Sequence, residues 1–309
     1  MSRIHDALKK AEQERNINRP AGAAGALEVA LPPVRTVDTM IPAAGEKTLP
    51  GRRTAALTDP PTLEDLQSRV AVVDWKPDPK WIVAYHAGDT KRGAEEFRSL
   101  RSKLYQSRDA GPLRKVLVTS ALPQEGKTYI AANLVHAIVR QRERRALLID
   151  ADLRWSRLHT LLGTHSSPGL TEYLRGEADE LAIIQRGALE NLYFIPGGKS
   201  ASNASELISN GRFKVLMDHL APLFDWIILD SPPVIAMADA SLLAEFCDGI
   251  LMVVAAGKTP FDMAQKTREH LRKSRLLGVV LNQVAPQSTG SHYYYGYYQR
   301  AGNGKKSKR

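Results

Sequence analysis

Six short runs of the chain are apolar almost throughout: Lys115 to Ser120, Ala146 to Asp150, Leu192 to Ile195, Trp226 to Asp230, Ile250 to Val254 and Leu277 to Leu281. A strand with one wet face alternates apolar and polar residues, whereas a strand apolar at every position has to be covered on both faces. Segments with helical spacing lie before and between these runs, at 94–106, 127–140, 204–220, 239–246 and 260–274. Strands of this kind alternating with helices predict an α/β fold, doubly wound, with a mainly parallel sheet and helices on both faces. No internal repeat competes with that reading.

The alternation begins near Gly93, which divides the chain into four expected parts. Residues 1–16 read as a short amphipathic helix, with Ile4, Ala7, Leu8 and Ala11 on one side, which either docks on a partner or frays. Residues 17–90 carry nine prolines between Pro20 and Pro79 and read as a disordered linker, with a brief helix near Leu63. Residues 91–287 form the folded domain, and 288–309 a flexible tyrosine-rich and basic tail. The single cysteine, Cys247, sits among Leu242, Leu243 and Phe246 and reads as a buried, inert thiol in a reducing compartment. No run approaches the ~18 apolar residues of a membrane span, and the charged N-terminus is unlike a signal peptide. The expectation is a cytoplasmic protein. The net charge of +10 is concentrated in part in an acid-free tail, Arg300 to Arg309. No helix-turn-helix, zinc-finger or aromatic RNA-binding pattern accompanies it, so no specific nucleic-acid partner is expected.

The segment Ala121-Leu122-Pro123-Gln124-Glu125-Gly126-Lys127-Thr128 follows a strand and opens a helix, the context of a phosphate-binding loop. Backbone N–H groups and the helix dipole would face the anion there. Lys127 would reach the β- and γ-phosphates of ATP, Thr128 would ligand Mg²⁺, and Gly126 would let the backbone approach closely. The predicted nucleotide-contacting residues are Pro123, Gln124, Glu125, Gly126, Lys127, Thr128 and Tyr129. A second Gly-Lys-Ser, in Pro196-Gly197-Gly198-Lys199-Ser200, leads into a loop and reads as a surface turn.

Two strands end in acids: Ile149-Asp150-Ala151-Asp152-Leu153-Arg154, and Leu229-Asp230-Ser231-Pro232-Pro233. Ligands of open α/β sheets sit at the carboxyl ends of strands. Three carboxylates beside a triphosphate call for a cation, and Mg²⁺ uses such acids as direct or water-mediated ligands. The blander alternative is that each Asp caps the following helix. Five of the ten tyrosines, Tyr293, Tyr294, Tyr295, Tyr297 and Tyr298, fall between small polar residues at the C-terminus, where they have no core to fill. They read as phosphoacceptors that can thread into an active site.

Taken together, these motifs resemble the bacterial protein-tyrosine kinases, over roughly Gly93 to Tyr298. Glu95-Glu96-Phe97-Arg98-Ser99-Leu100-Arg101 resembles the family's E-x-x-R-x-x-R oligomer motif, so Glu95, Arg98 and Arg101 would form an interface stripe. Met1 to Ala11 is similar to the start of the exopolysaccharide-associated subtype that lacks a membrane span. The resemblance implies a P-loop NTPase-type sheet and an ATP-dependent, Mg²⁺-dependent tyrosine autokinase that regulates exopolysaccharide synthesis or export. It makes Lys127, Asp150, Asp152 and Asp230 the catalytic set, with Thr128, Asp152 and Asp230 around Mg²⁺. Asp150 would be the base, and Asn282 would lie on the adenine side. Partners would be further copies of the chain in a ring, phosphorylating in trans, and a separate membrane polysaccharide copolymerase. A cognate tyrosine phosphatase would complete the set, with the kinase peripheral at the inner face of the membrane. Departures from the family pattern are Ala121 and Gln124, where glycine is usual, and Ala201 to Ala204, where prolines are usual. Two other readings stay open: a partition-type ATPase switch, whose extra lysine is replaced here by Leu122, and a nucleotide-binding scaffold without turnover.

Overall fold

The computed structural model describes residues 60–83, 93–109, 111–141 and 144–285. The expected N-terminal helix and the tyrosine-rich tail lie outside the described residues. The strands are β1 (Ala71–Val72), β2 (Lys115–Ser120), β3 (Ala146–Asp150), β4 (Gln185–Arg186), β5 (Leu192–Ile195), β6 (Trp226–Asp230), β7 (Gly249–Ala255) and β8 (Leu276–Asn282). They form one sheet in the order β1-β4-β5-β3-β6-β2-β7-β8, in which only the β4–β5 pair is antiparallel. β2 lies between β6 and β7, and the chain reaches β3 by crossing over β6. The carboxyl ends of β2, β3, β6, β7 and β8 therefore share one edge of the sheet.

Successive residues of each central strand enter two different cores, as the uninterrupted apolar runs require. Leu117, Leu147, Ile149, Ile227 and Leu229 face the helices Leu170–Leu174, Ala204–Ser209, Arg212–Leu220 and Asp239–Ala244. Val116, Val118, Leu148, Ile228 and Trp226 face the helices Ala94–Asp109, Lys127–Val139 and Leu158–Leu162. The expected helix over 204–220 is in fact two, broken where Gly211 takes a φ of +85°. Helix Phe261–His270 covers Met252 and Val254 through Ala264.

Residues 60–83 correct the expectation of a disordered linker over that stretch. Thr62 starts the helix Leu63–Arg69 with a reciprocal capping box to Asp65. β1 pairs in parallel with β4, and Leu66, Val70, Trp75 and Ile82 are buried. Trp75 lies edge-on to Phe194 at 6.1 Å. Asn133 accepts from Val83 N and donates to Trp81 O, tying the segment to the helix behind the phosphate loop. The prolines of this stretch lie outside its helix and its strand, and the buried apolar side chains anchor it between them.

Of the expected surface turn, Lys199 and Ser200 are exposed, whereas Pro196 and Gly197 are buried, which corrects the expectation for its first half. Leu170 N and Thr171 N donate to the carbonyls of Pro196 and Gly197, and Lys199 N donates to the buried Glu172 carboxylate. Side chains do not fit there: a Cβ on Gly197 would lie 2.7 Å from Ser156 Cβ.

Candidate active site

The phosphate loop joins β2 to the helix Lys127–Val139. Gly126, at φ +93°, precedes that helix; no side chain caps it and no acid lies in its first turn. Its leading N–H groups are thus left for an anion, with the dipole in the favourable sense. The loop is held from behind. Asn282, at the end of β8, donates from Nδ2 to Glu125 O (2.9 Å), and a Cβ on Gly126 would lie 2.1 Å from that same Nδ2. Gln283 Nε2 donates to Gln124 O (2.8 Å), and Lys258 Nζ donates to Gln283 Oε1 (2.7 Å). Gln124 has a φ of +64°, the left-handed backbone that glycine adopts without strain, which accounts physically for the glycine usual at this position.

Glu125 is buried, and its carboxylate is used inside the loop. Oε2 accepts from Leu122 N (2.6 Å), and Oε1 accepts from the Thr259 hydroxyl. The side chain braces the loop; in this conformation only its backbone is placed for a nucleotide. Tyr129 turns the other way, edge-on to Phe97 at 5.7 Å. Pro123 and Gln124 are exposed at the loop tip.

The three acids cluster together, and Asp152 and Asp230 feel the charge of Lys127. Asp150 and Asp230 end adjacent parallel strands and stand opposite each other in register. Lys127 Nζ lies 3.7 Å from Asp152 Oδ2. Asp150 Oδ2 accepts three hydrogen bonds, from Ser156 Oγ (2.7 Å), Arg157 N (3.0 Å) and Leu158 N (3.0 Å). The capping alternative thus describes one oxygen of Asp150. The other, Oδ1, is buried and has no partner among the described residues, as is true of Asp230 Oδ1. Burial raises both pKa values. Ser156 and the backbone N–H of Leu158 oppose the rise at Asp150, and the Lys127 charge and the Thr128 hydroxyl oppose it at Asp230. Orphaned, desolvated carboxylate oxygens next to an anion-binding helix start fit a cation shared with phosphates. Among the described residues no cluster of three His, Cys, Asp or Glu side chains forms a cage by itself. Mg²⁺ takes one or two carboxylates and completes its shell with phosphates and water.

The loop after Asp152 is rigidly held. Trp155 N donates to Asp152 Oδ1 (3.1 Å), and Arg154 is fixed by Asp239 (2.8 Å) and Ser202 O (2.7 Å). Ser156 and Thr259 escaped the sequence reading. Ser156 is a hydroxyl six positions past Asp150, and no spacing connects Thr259 to Glu125, 134 residues earlier.

Glu95, Arg98 and Arg101 lie on the helix Ala94–Asp109, apart from these acids. Glu95 and Arg98 pair at 2.6 Å on its exposed side. Arg101 turns inward and donates to Ala137 O (2.7 Å), at the carboxyl end of the helix behind the phosphate loop. The expected stripe of three is thus two exposed residues and one that joins two helices.

No family model matches the chain. The tyrosine-protein kinase YwqD of Bacillus subtilis is 34% identical over 207 residues, 66% of this chain and 86% of that one. The tyrosine-protein kinase CpsD of Streptococcus agalactiae is 33% identical over 70% of this chain and 94% of its own. The tyrosine-protein kinase wzc of Salmonella typhimurium is 31% identical over 68% of this chain, which spans only 29% of that longer protein. Among solved structures, the kinase domain of the Escherichia coli tyrosine kinase ETK superposes with a TM-score of 0.61 at 26% identity, covering 75% of this chain and 97% of that one. The septum site-determining protein MinD of Pyrococcus horikoshii, complexed with Mg-ADP, shares the P-loop NTPase fold, with a TM-score of 0.50 at 22% identity over 57% of this chain and 72% of that one. By its sequence relatives and its fold, the chain belongs to the bacterial tyrosine-protein kinase family.

Proposed function

We propose that the chain is an ATP-dependent protein-tyrosine autokinase that phosphorylates Tyr293, Tyr294, Tyr295, Tyr297 and Tyr298 of another copy of itself. The observation that carries this reading is the convergence of Lys127, Asp150, Asp152 and Asp230 at one uncapped helix start. Lys127 and the backbone of residues 124–128 would bind the phosphates of ATP. Thr128, Asp152 and Asp230 would hold Mg²⁺, which supplies neutralisation of the phosphate charge when bound. Asn282 keeps the loop in its binding shape and would stand on the adenine side.

The acceptor phenol attacks the γ-phosphorus; the new O–P bond forms as the bond to the ADP oxygen breaks. Asp150 Oδ1, the oxygen with no partner among the described residues, takes the phenol proton, while Ser156, Arg157 N and Leu158 N fix the carboxylate through Oδ2. Because the residues are already held in place, positioning and electrostatics would carry most of the rate enhancement. In the cell this reading implies a cytoplasmic kinase at the inner membrane face, assembled as a ring in part through Glu95 and Arg98. A separate membrane polysaccharide copolymerase would cue it, and a cognate tyrosine phosphatase would reset it, so that phosphorylation regulates exopolysaccharide synthesis or export.

The test is a phosphotyrosine blot after incubation with Mg-ATP, run beside Lys127→Met and a chain ending at Gly290. Signal is expected only from the unaltered protein. ATP hydrolysis without phosphotyrosine would favour the partition-type switch, and nucleotide binding without turnover the scaffold. The residue five positions before Lys127, where that switch class carries a lysine, is Leu122.

A further inference from the structure

We infer that Trp155 is the docking platform for the aromatic ring of the acceptor tyrosine; this inference rests on the kinase reading above. Of the large apolar side chains left exposed among the described residues, Trp155, at 59%, is the one that belongs to the loop carrying Asp152. Exposing an indole forfeits burial of one of the largest apolar surfaces a residue owns. Here the backbone on either side of it is fixed. Its own N–H is committed to Asp152, and Arg154 before it is held by Asp239 and Ser202. The Arg154 carbonyl accepts from Ser200 Oγ (2.9 Å), and Ser156 after it donates to Asp150. The ring is thus presented on a rigid loop at the carboxyl edge of the sheet.

The sheet order says which substrate it meets. From β2, whose end carries the phosphate loop, β7 and then β8 with Asn282 lie to one side. β6 with Asp230 and then β3 with Asp150 lie to the other. Trp155 follows β3 by five residues, between Arg154, held by Asp239 after β6, and Ser156, which lies against Gly197 after β5. Its loop is thus on the Asp150 side of the phosphate loop and Asn282 on the other. The next residue, Ser156, donates to the Asp150 carboxylate, so a group docked on Trp155 is one residue from the side chain that holds the candidate base. The tail that supplies the acceptor is aromatic at five of the six positions from Tyr293 to Tyr298. Offset or edge-on contact between a phenol ring and an indole is favourable and tolerates any of several neighbouring tyrosines in turn. That tolerance suits a cluster in which each tyrosine is a target.

The probe is a synthetic peptide of residues 288–300. It is presented to the 309-residue chain with Tyr293, Tyr294, Tyr295, Tyr297 and Tyr298 changed to Ala, so that the peptide replaces the tail as acceptor. In that background Trp155→Ala is expected to raise the KM for peptide roughly three- to tenfold. Its kcat should stay within about twofold and its KM for ATP should not change. Trp155→Phe, which keeps an aromatic face, is expected to hold the peptide KM close to the parent value. Peptide should also alter the tryptophan emission of the parent and not that of Trp155→Phe. An unchanged peptide KM in Trp155→Ala overturns the assignment, as does a Trp155-dependent emission change produced by ATP but not by peptide. A parent that forms no phosphotyrosine while its Trp155 emission still responds to peptide sinks the kinase reading and supports docking. A parent that does neither overturns both.

Discussion

Asp230 is raised above the ordinary carboxylate range chiefly because it is buried, with Lys127 opposing the shift and the neighbouring acids adding to it. The sign of the stability effect follows. Between the unfolded and the raised folded pKa the native chain holds a proton that the unfolded chain has released, so stability falls as pH rises through that window. The full cost is present above the folded value. Replacing Asp230 with Asn removes the titration and leaves a neutral group of similar shape. Without Mg²⁺ or nucleotide, Asp230→Asn is expected to raise Tm, by an amount that grows from mildly acidic to mildly alkaline pH and then levels off. A gain of about 1–3 kcal/mol is expected, at about 2–4 °C for each kcal/mol. Thermal melts across that pH range in the presence of a chelator check it; a lower Tm for the variant at every pH would contradict the account. The same variant should lose tyrosine phosphorylation, the trade-off expected where a site is held together at the expense of stability.

At the level of elements, the segment 60–83 works as a strap across the sheet edge and the helix behind the phosphate loop. Trp75 is its anchor: it is buried, edge-on to Phe194, and so close to Gly187 that a Cβ there would lie 2.5 Å from its ring. Around it, Val73 N donates to Arg186 O and Lys76 N to Gly163 O. Trp75→Ala is expected to destabilise the protein by about 3–5 kcal/mol, the range for emptying a large aromatic site, whereas Trp75→Phe should recover most of that loss. Denaturant unfolding measures both, and limited proteolysis should show cleavage within 60–83 first in the alanine variant. A melt for Trp75→Ala equal to that of the parent would mean the strap contributes little. Arg101 joins elements in the same way, by donating to the last turn of the helix Lys127–Val139, where a cation also meets the negative end of the dipole.

For the whole molecule the governing quantity is charge. The chain carries +10, and five phosphotyrosines would add about −7.5 to −10. Full phosphorylation would therefore bring the net charge close to zero and place dense negative charge beside the basic C-terminus. Phosphorylated protein is expected to leave a cation exchanger at clearly lower salt than dephosphorylated protein. Its state of assembly, followed by sedimentation, should depend on ionic strength over the range where the Debye length passes about 10 Å. Identical elution of the two forms would show the charge to be masked. On the same scale, the sequence determined the architecture. Residues apolar on both faces of a strand leave a covered parallel sheet as the solution, and β2, β3, β5 and β6 begin and end where the apolar runs do. It also determined which residue types gather at the carboxyl edge, because Asp150 and Asp230 end strands, and Lys127 and Asp152 each follow one at short range. What only the tertiary structure decided are the contacts between positions far apart in the chain. Thr259 against Glu125, Asn282 against Gly126 and Trp75 against Gly187 follow from strand order and from packing between side chains. Local spacing carries no trace of either, because loop closure brings such pairs together only once the sheet has formed.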